Sequence, residues 1–457
     1  MSTPRPPWTA PARPPRPVPA AVPPWQFPRI HEERLANGVT LLTCDRPGQE
    51  LLTAEIVVAS PLACEPRDVE GVMGILASAL AEGVRGTSAL DFAHALEHCG
   101  ATLGVGADHA GLRVTLDVPG PYLERALGLV VSALREPLLP APAVERLRRS
   151  RLHACARERL DSERRASAEL HRVVFAPQDR RSRPARGTEE TVRQIDRDAV
   201  AAFHAAHVRP AVTTVVLVGD LTRHPADRAL RRLLGGWHGE PGAPEVRPAP
   251  PVRDGPAVVL VDSPEAVQTR LVLGRAAAGR ATPGWDPLLI GNHCLGSSVT
   301  SRLDRELREA KGYTYGFHSR LLAMGRQSLA VATGAVAAAS TAAALDGVLS
   351  ILRGLGSQGL TERERDAAVA QIVTAAPIRY LRSADVAEEI ALLVLDGRAP
   401  DSLPDAFARV AALSAQDATA ALLSAFRPEA MVTVAVGDAA AFQAGVEDLG
   451  IGPLTVV

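Results

Sequence analysis

Lysine is almost missing from this 457-residue chain: of its 50 basic residues, only Lys311 is not arginine. With abundant Ala, Pro and Gly, that reads as the coding bias of a GC-rich bacterium and carries no functional signal. Paired cysteines are also missing. Cys44, Cys64, Cys99, Cys155 and Cys294 are scattered, with no C-x-x-C among them. An odd, irregularly spaced set argues against a disulfide framework and for reduced thiols in the cytoplasm. No run of about 18 apolar residues occurs, so no membrane-spanning helix is expected. The N-terminus has no apolar core of a secretory signal. The net charge is −1, which makes no case for a nucleic-acid or anionic-membrane partner.

What is present is an ordinary globular composition, 46% apolar and 22% charged, over a length that predicts two or more domains. Residues 1–28 hold eleven Pro and read as a disordered, solvated tail. From Arg29, strands are expected at Val39–Cys44, Leu51–Ser60, Ala101–Val105, Gly111–Val118 and Val212–Gly219. Helices are expected at Asp68–Glu82 and Ser88–Cys99, then in a long region over Ala141–Phe175. Residues 241–256 hold six Pro and two Gly and read as a linker. Strands follow at Ala257–Ser263, Val267–Arg275, Tyr313–Ser319 and Gln327–Thr333, and helices at Thr341–Leu355 and Thr361–Leu395.

One repeat is visible directly. Arg209-Pro210, followed by Gly219-Asp220, recurs as Arg427-Pro428, followed by Gly437-Asp438, each position 218 residues later. A period near half the chain predicts two homologous domains, 29–240 and 257–457, rather than a solenoid. Hairpin strands followed by helix pairs predict an α+β fold: two α/β sandwiches in tandem, each an antiparallel-rich sheet with helices on one face.

The most informative stretch is Ser297–Ser319, SSVTSRLDRELREAKGYTYGFHS. Ser301 is a plausible N-cap. Leu303, Leu307 and Ala310 fall at i, i+4, i+7, and Gly312 ends the helix. The period then becomes two, with Tyr313, Tyr315 and Phe317 on one face. One cation, Arg308, and one phenol, Tyr315, are thereby expected to converge at a helix–strand corner. Composition alone would leave Arg308 as a solvated charge and Tyr315 as packing. The run from Gly291, GNHCLGSSVTSRLDRELREAKGYTYGFHS, resembles the C-terminal half of the pitrilysin/insulinase peptidase family, with its pattern LGG-x-x-x-SRL-x-x-x-LR-x-x-x-G-x-x-Y. The family's paired Arg and Tyr fall on Arg308 and Tyr315. Ser297 and Ser298 stand where glycines are usual.

That family's zinc site is H-x-x-E-H on the first long helix of the N-terminal domain, plus a distant Glu. The chain contains the string as His94-Ala95-Leu96-Glu97-His98, but in the following helix. At about 100° per residue, Phe92, Ala95, Leu96 and Cys99 cluster on one face and His94 and His98 point away, toward solvent. The place implied by the resemblance is Gly71–Ser78, GVMGILAS. There Gly74 and Ser78 replace the two His, and Ala77 replaces the Glu. Counting on to the third ligand leads to Ala154 and Cys155. Glu158, Glu163 and Glu169 nearby read as charges on a long helix.

The resemblance therefore implies half of a divided active site, with no metal in this chain. The expected function is the non-zinc-binding subunit of a heterodimeric zinc endopeptidase. Arg308 and Tyr315 would bind the carbonyl of an unfolded peptide at the zinc of a homologous partner. Two alternatives remain: a purely structural scaffold subunit, as also occurs in the family, and a self-sufficient metallopeptidase using His94, Glu97 and His98. Short of a zinc site, the same histidines with His109 could bind a metal weakly or for regulation.

Overall fold

The computed structural model describes residues 25–239, 252–325 and 327–457. Most of the expected tail and linker lie outside them. The strands of the first half are β1 (His31–Arg34), β2 (Thr40–Asp45), β3 (Leu51–Val58), β4 (Thr102–Ala107), β5 (Leu112–Pro119) and β6 (Thr213–Gly219). Those of the second are β7 (Ala257–Asp262), β8 (Gln268–Ala278), β9 (Thr314–Met324), β10 (Gln327–Ala337), β11 (Val432–Gly437) and β12 (Leu454–Val456). Each set forms one six-stranded sheet, ordered β1-β2-β6-β3-β5-β4 and β12-β7-β11-β8-β10-β9. Five strands of each order correspond; the sixth differs, since β1 opens its half and is antiparallel to β2, whereas β12 closes its half and is parallel to β7. The repeated Val-rich segments are β6 and β11. Each runs parallel to the first long strand of its sheet and antiparallel to the next. The fold is mixed α/β, two sandwiches in tandem.

The helices that matter below are α1 (Val72–Ala79), α2 (Ala89–Glu97), α3 (Ser162–Val174), α4 (Trp285–Gly296), α5 (Arg302–Asp304, continuing as a π turn over Arg305–Ala310), α6 (Thr341–Gln358), α7 (Glu362–Thr374) and α8 (Ser383–Leu395). Three expected helices are shorter than the periodicity implied. Asp68–Glu82 splits at Gly71 into a 3₁₀ turn and α1. Ala141–Phe175 breaks where the Asp161 carboxylate caps α3. Thr361–Leu395 breaks into α7, a short helix containing Pro377, and α8. Apolar periodicity runs through such breaks because both pieces stay packed, whereas a cap or a proline resets the backbone bonds.

The second face of each sheet was not anticipated. Within each half the helices cover one face, as in the cluster of Leu260, Leu273, Phe317, Ala332 and α6 residues Leu345 and Val348. The opposite face is covered by a helix of the other half. Val386, Ala387, Ile390 and Leu393 of α8 pack on Leu42, Val57, Val216 and Val218 of the first sheet. Ala166, Leu170 and Val174 of α3 pack on Val259, Val272, Val331 and Val434 of the second. Burying one such side chain is worth about 1.5–3 kcal/mol, so the exchange ties the halves together. It also explains why β6 and β11 read as continuous apolar runs: both of their faces are buried.

Residues 25–28, assigned to the tail by their prolines, join this interface. Trp25 stacks on Tyr380 (centroids 5.4 Å apart), and Phe27 is buried beside it. Their large aromatic area outweighs the neighbouring prolines. The segment Ala338–Gln358 is long and apolar enough to cross a membrane by composition, but Leu345, Val348 and Leu352 bury its apolar side in the core. None of the five cysteines is disulfide-bonded.

Candidate functional site: an Arg–Tyr corner and a helix without metal ligands

Local sequence builds the corner in three steps. The Ser301 hydroxyl caps Asp304 N–H, starting α5 where expected. The backbone then widens by one residue: Lys311 N–H bonds to Glu306 O at 3.0 Å, five residues back, and Tyr313 N–H reaches Leu307 O at 2.9 Å. Such π turns recur at functional sites. Leu303 and Leu307 are fully buried, as the 3.6 period required. Ala310 is exposed, contrary to expectation, because the extra residue rotates it off the core face. Gly312, at φ 65°, then ends the helix.

The strand carries a matching irregularity. β9 pairs with β10 through Thr314↔Val336 and then Phe317↔Gly334, so Tyr315 and Gly316 together oppose Ala335. This is a β-bulge, and it breaks the expected common face: Phe317 is 0% exposed, whereas Tyr315 is 94% exposed. The Thr314 hydroxyl fills the bulge. Its oxygen lies 2.6 Å from Ala335 O and accepts a hydrogen bond from Gly316 N–H at 3.1 Å. At the other end of the corner, α4 meets β9 so closely that a methyl on Gly296 would lie 2.3 Å from Ser319 N. Ser297, in a position usually Gly in the resembling family, donates from Oγ to Ser319 O at 3.0 Å and accepts from Asn292 Nδ2 at 2.7 Å. The substitution is thereby absorbed as a clamp between helix and strand.

Arg308 lies on the π turn, its side chain 37% exposed. Nη1 is 3.1 Å from Asp304 Oδ2, and Nη2 donates to Glu309 Oε1 at 3.2 Å. No hydrogen bond joins Arg308 to Tyr315 among the described contacts. Beside the corner, Arg302 makes a two-pronged bond to Glu364 at 2.7 Å from Nε and from Nη2. Those hydrogen bonds hold the Glu364 carboxyl down to about 2. A groove of about 1170 Å3 runs along the helical side, lined by Arg302, Tyr313, Ser350 and Glu364 among others. Arg308 and Tyr315 lie outside its wall.

The helix implied to carry zinc has no chemistry for it. On α1, Ala77 is buried, Gly74 offers no side chain, and Ser78 Oγ donates back to Gly74 O at 3.1 Å. The N-terminus of α1 is held by a buried network instead. Glu65 Oε1 accepts from Gly71 and Met73 N–H, and Glu65 Oε2 accepts from Arg180 Nε at 3.0 Å and Nη2 at 2.8 Å. The positions counted for a third ligand are equally unsuited. Cys155 is buried, and desolvation pushes its thiol up. Glu158, Glu163 and Glu169 are engaged by Arg151, Arg270 and Arg172.

His94, Glu97 and His98 stand on the exposed face of α2, as the helical wheel required, while Phe92 and Leu96 are buried. His98 Nδ1 contacts His94 O at 2.8 Å within the helix. His109 stacks against His171, centroids 6.2 Å apart, and burial lowers it to about 3. Its neighbours are His171, Arg180 and Arg181, not residues of α2. Among the described residues no group of three or more His, Cys, Asp or Glu is arranged to hold a metal.

Residues 194–372, which include Arg308 and Tyr315, match the family model described as the peptidase M16 inactive domain. The match covers well under half of the chain and shows that this segment is similar to M16 peptidases. A protein of Mycobacterium leprae named an uncharacterized zinc protease is 24% identical over 332 residues, 72% of this chain and 74% of that one. A Helicobacter pylori protein named a non-peptidase homologue is 28% identical over 163 residues, 36% and 37% of the two chains. The fold matches the crystal structure of an M16 inactive domain from Pseudomonas fluorescens with a TM-score of 0.82 at 21% identity, covering 89% of this chain and 98% of that one. A protease from Helicobacter pylori matches with a TM-score of 0.81 at 15% identity, over 90% and 100%. The chain thus combines a fold shared with these structures with an α1 whose Gly74, Ala77 and Ser78 offer no zinc ligands.

Two features of the corner escaped the sequence: the π turn, and the carboxylate of Asp304 beneath Arg308. The spacing of Asp304 and Arg308, four apart on a helix, was a legible signal for an ion pair. The π turn had none, because an inserted backbone residue leaves no mark in composition.

Proposed function

We propose that this chain is the zinc-free subunit of a heterodimeric zinc endopeptidase. Its partner is a homologous subunit bearing H-x-x-E-H and the zinc. Arg308 and Tyr315 bind the scissile carbonyl of an unfolded peptide and stabilise the oxyanion formed at that zinc. The peptide docks by strand addition along the open edge of β9. We place the complex in the cytoplasm, with the five cysteines as thiols.

One observation carries this proposal. Two irregular backbone features, a π turn and a β-bulge, fall on the segments that hold Arg308 and Tyr315, with Arg308 partly and Tyr315 almost fully exposed. Purely structural residues would be spared such local costs, because regular helix and strand pack as well. An Arg and a phenol are suited donors for a developing oxyanion, and losing one such donor typically costs on the order of 100- to 1000-fold in rate.

The test is co-purification with the H-x-x-E-H chain of the same genome and turnover of an unstructured peptide. Arg308→Ala and Tyr315→Phe should each lower kcat by on the order of 100-fold. Full activity in both variants would overturn the proposal. The scaffold alternative draws support from the altered α1 and from the likeness to a non-peptidase homologue. A native complex containing no chain with an intact zinc motif would favour it.

A further inference from the structure

We infer that Asp304 is a positioning residue of this site: its buried carboxylate aims the Arg308 guanidinium and fastens the bulged strand that carries Tyr315. The inference rests on the role proposed above for that pair. Asp304 is the last residue before the π turn, and its side chain is 0% exposed. Oδ1 accepts the Phe317 N–H at 3.4 Å, at the point where β9 regains its register after the bulge. Oδ2 receives no aligned hydrogen bond, and the Arg308 guanidinium at 3.1 Å is its compensating charge. Gly316 borders this carboxylate: a methyl there would stand 3.7 Å from Oδ1, in ordinary contact. A single carboxylate thus touches the turn that holds Arg308 and the strand that holds Tyr315.

The location demands a reason. Asp304 lies between Leu303 and Leu307, both fully buried. A buried charge carries a desolvation cost that an apolar side chain of similar size would avoid. Stability therefore does not account for it. Orientation does. A donor that must meet an oxyanion works best when fixed before the reaction, because no reorganisation is then needed. Held by Asp304 on one side, the guanidinium keeps its remaining N–H groups on the partly exposed side. Glu309 also contacts Arg308, but its side chain is 55% exposed, so water and salt weaken its hold.

The test is a double-mutant cycle in the two-subunit complex, reading kcat and KM for an unstructured peptide. Asp304→Asn should lower kcat about 10- to 100-fold, the usual range for groups that orient a functional side chain, with KM little changed. In the Arg308→Ala background the same substitution should cost less than about 3-fold, because the group it acts through is gone. An equal loss in both backgrounds overturns the inference and makes Asp304 merely structural. If Arg308→Ala itself leaves kcat unchanged, the proposed function fails, and Asp304 is judged by a separate readout. That readout is ¹⁵N NMR of the arginine side chains in the wild-type chain, with Arg308 assigned by its loss in Arg308→Lys. Restricted guanidinium rotation is expected, and free rotation overturns the inference even where Asp304→Asn does not fold.

Discussion

Replacing Thr314 by Val isolates what the bulge contributes. The two side chains have nearly the same shape, and both favour strands, so the change removes hydrogen bonds and little else. The lost contacts are the bond from Gly316 N–H to Oγ1 at 3.1 Å and the approach of Oγ1 to Ala335 O at 2.6 Å. Fully buried groups left unpaired cost about 1–3 kcal/mol each. Thr314 and Gly316 are half-buried. Water therefore replaces part of the loss, and about 1–2 kcal/mol for the pair is the reasonable figure. That raises local opening by roughly 5- to 30-fold. Hydrogen exchange at the Gly316 amide should accelerate by that factor, while amides in the middle of β10 remain unchanged. Activity of the complex should fall, because Tyr315 no longer leaves the sheet at a fixed angle. Unaltered exchange at Gly316 together with unaltered kcat would refute the claim that Thr314 holds the bulge.

Four further outcomes are expected. Arg180→Met should destabilise the chain by about 3–5 kcal/mol in urea titrations, since it strands the buried Glu65 carboxylate; a loss below about 1 kcal/mol would contradict the network at α1. Ile390→Ala, in α8, the helix that the second half lends to the first sheet, should cost about 2–5 kcal/mol and shift one common unfolding transition. Two separate transitions, only one of them shifted, would show that the halves are not interlocked. Glu364 is held below its ordinary 4.5, so its contribution to stability is complete above that value and is lost as pH falls from about 4.5 toward about 2. Arg302→Gln should flatten this acid limb, and an unchanged acid-unfolding profile would count against the pair. His94→Ala/His98→Ala should leave the zinc content of the untagged chain unchanged at near zero by mass spectrometry; one tightly held zinc per wild-type chain, lost in the variant, would revive the motif on α2.

The tandem architecture was legible because it rests on short-range chemistry repeated twice. Arg-Pro, a Val-rich strand and Gly-Asp recur at one offset, and the two sheets share the order of five of their six strands. The α2 face was legible too, since four residues at helical spacing suffice to assign inside and outside. Less was readable wherever an inserted backbone residue shifted the phase. Ala310 was expected inside and lies outside, and Tyr315 was expected to share a face with Phe317 and does not. Both errors follow one residue too many, in a helix and in a strand.

By itself, the sequence determined the doubling of the fold and the residue types at Gly74, Ala77 and Ser78, and a resemblance singled out Arg308 and Tyr315. These depend on residue type and spacing along the chain. Only the tertiary structure decided that α3 and α8 exchange between the halves, that Asp304 lies beneath Arg308, and that Trp25 and Phe27 are core residues. Such contacts join groups far apart in sequence. Periodicity registers which side of an element is apolar, not which surface it meets, so the choice of partner is made only when the packed faces compete for one another.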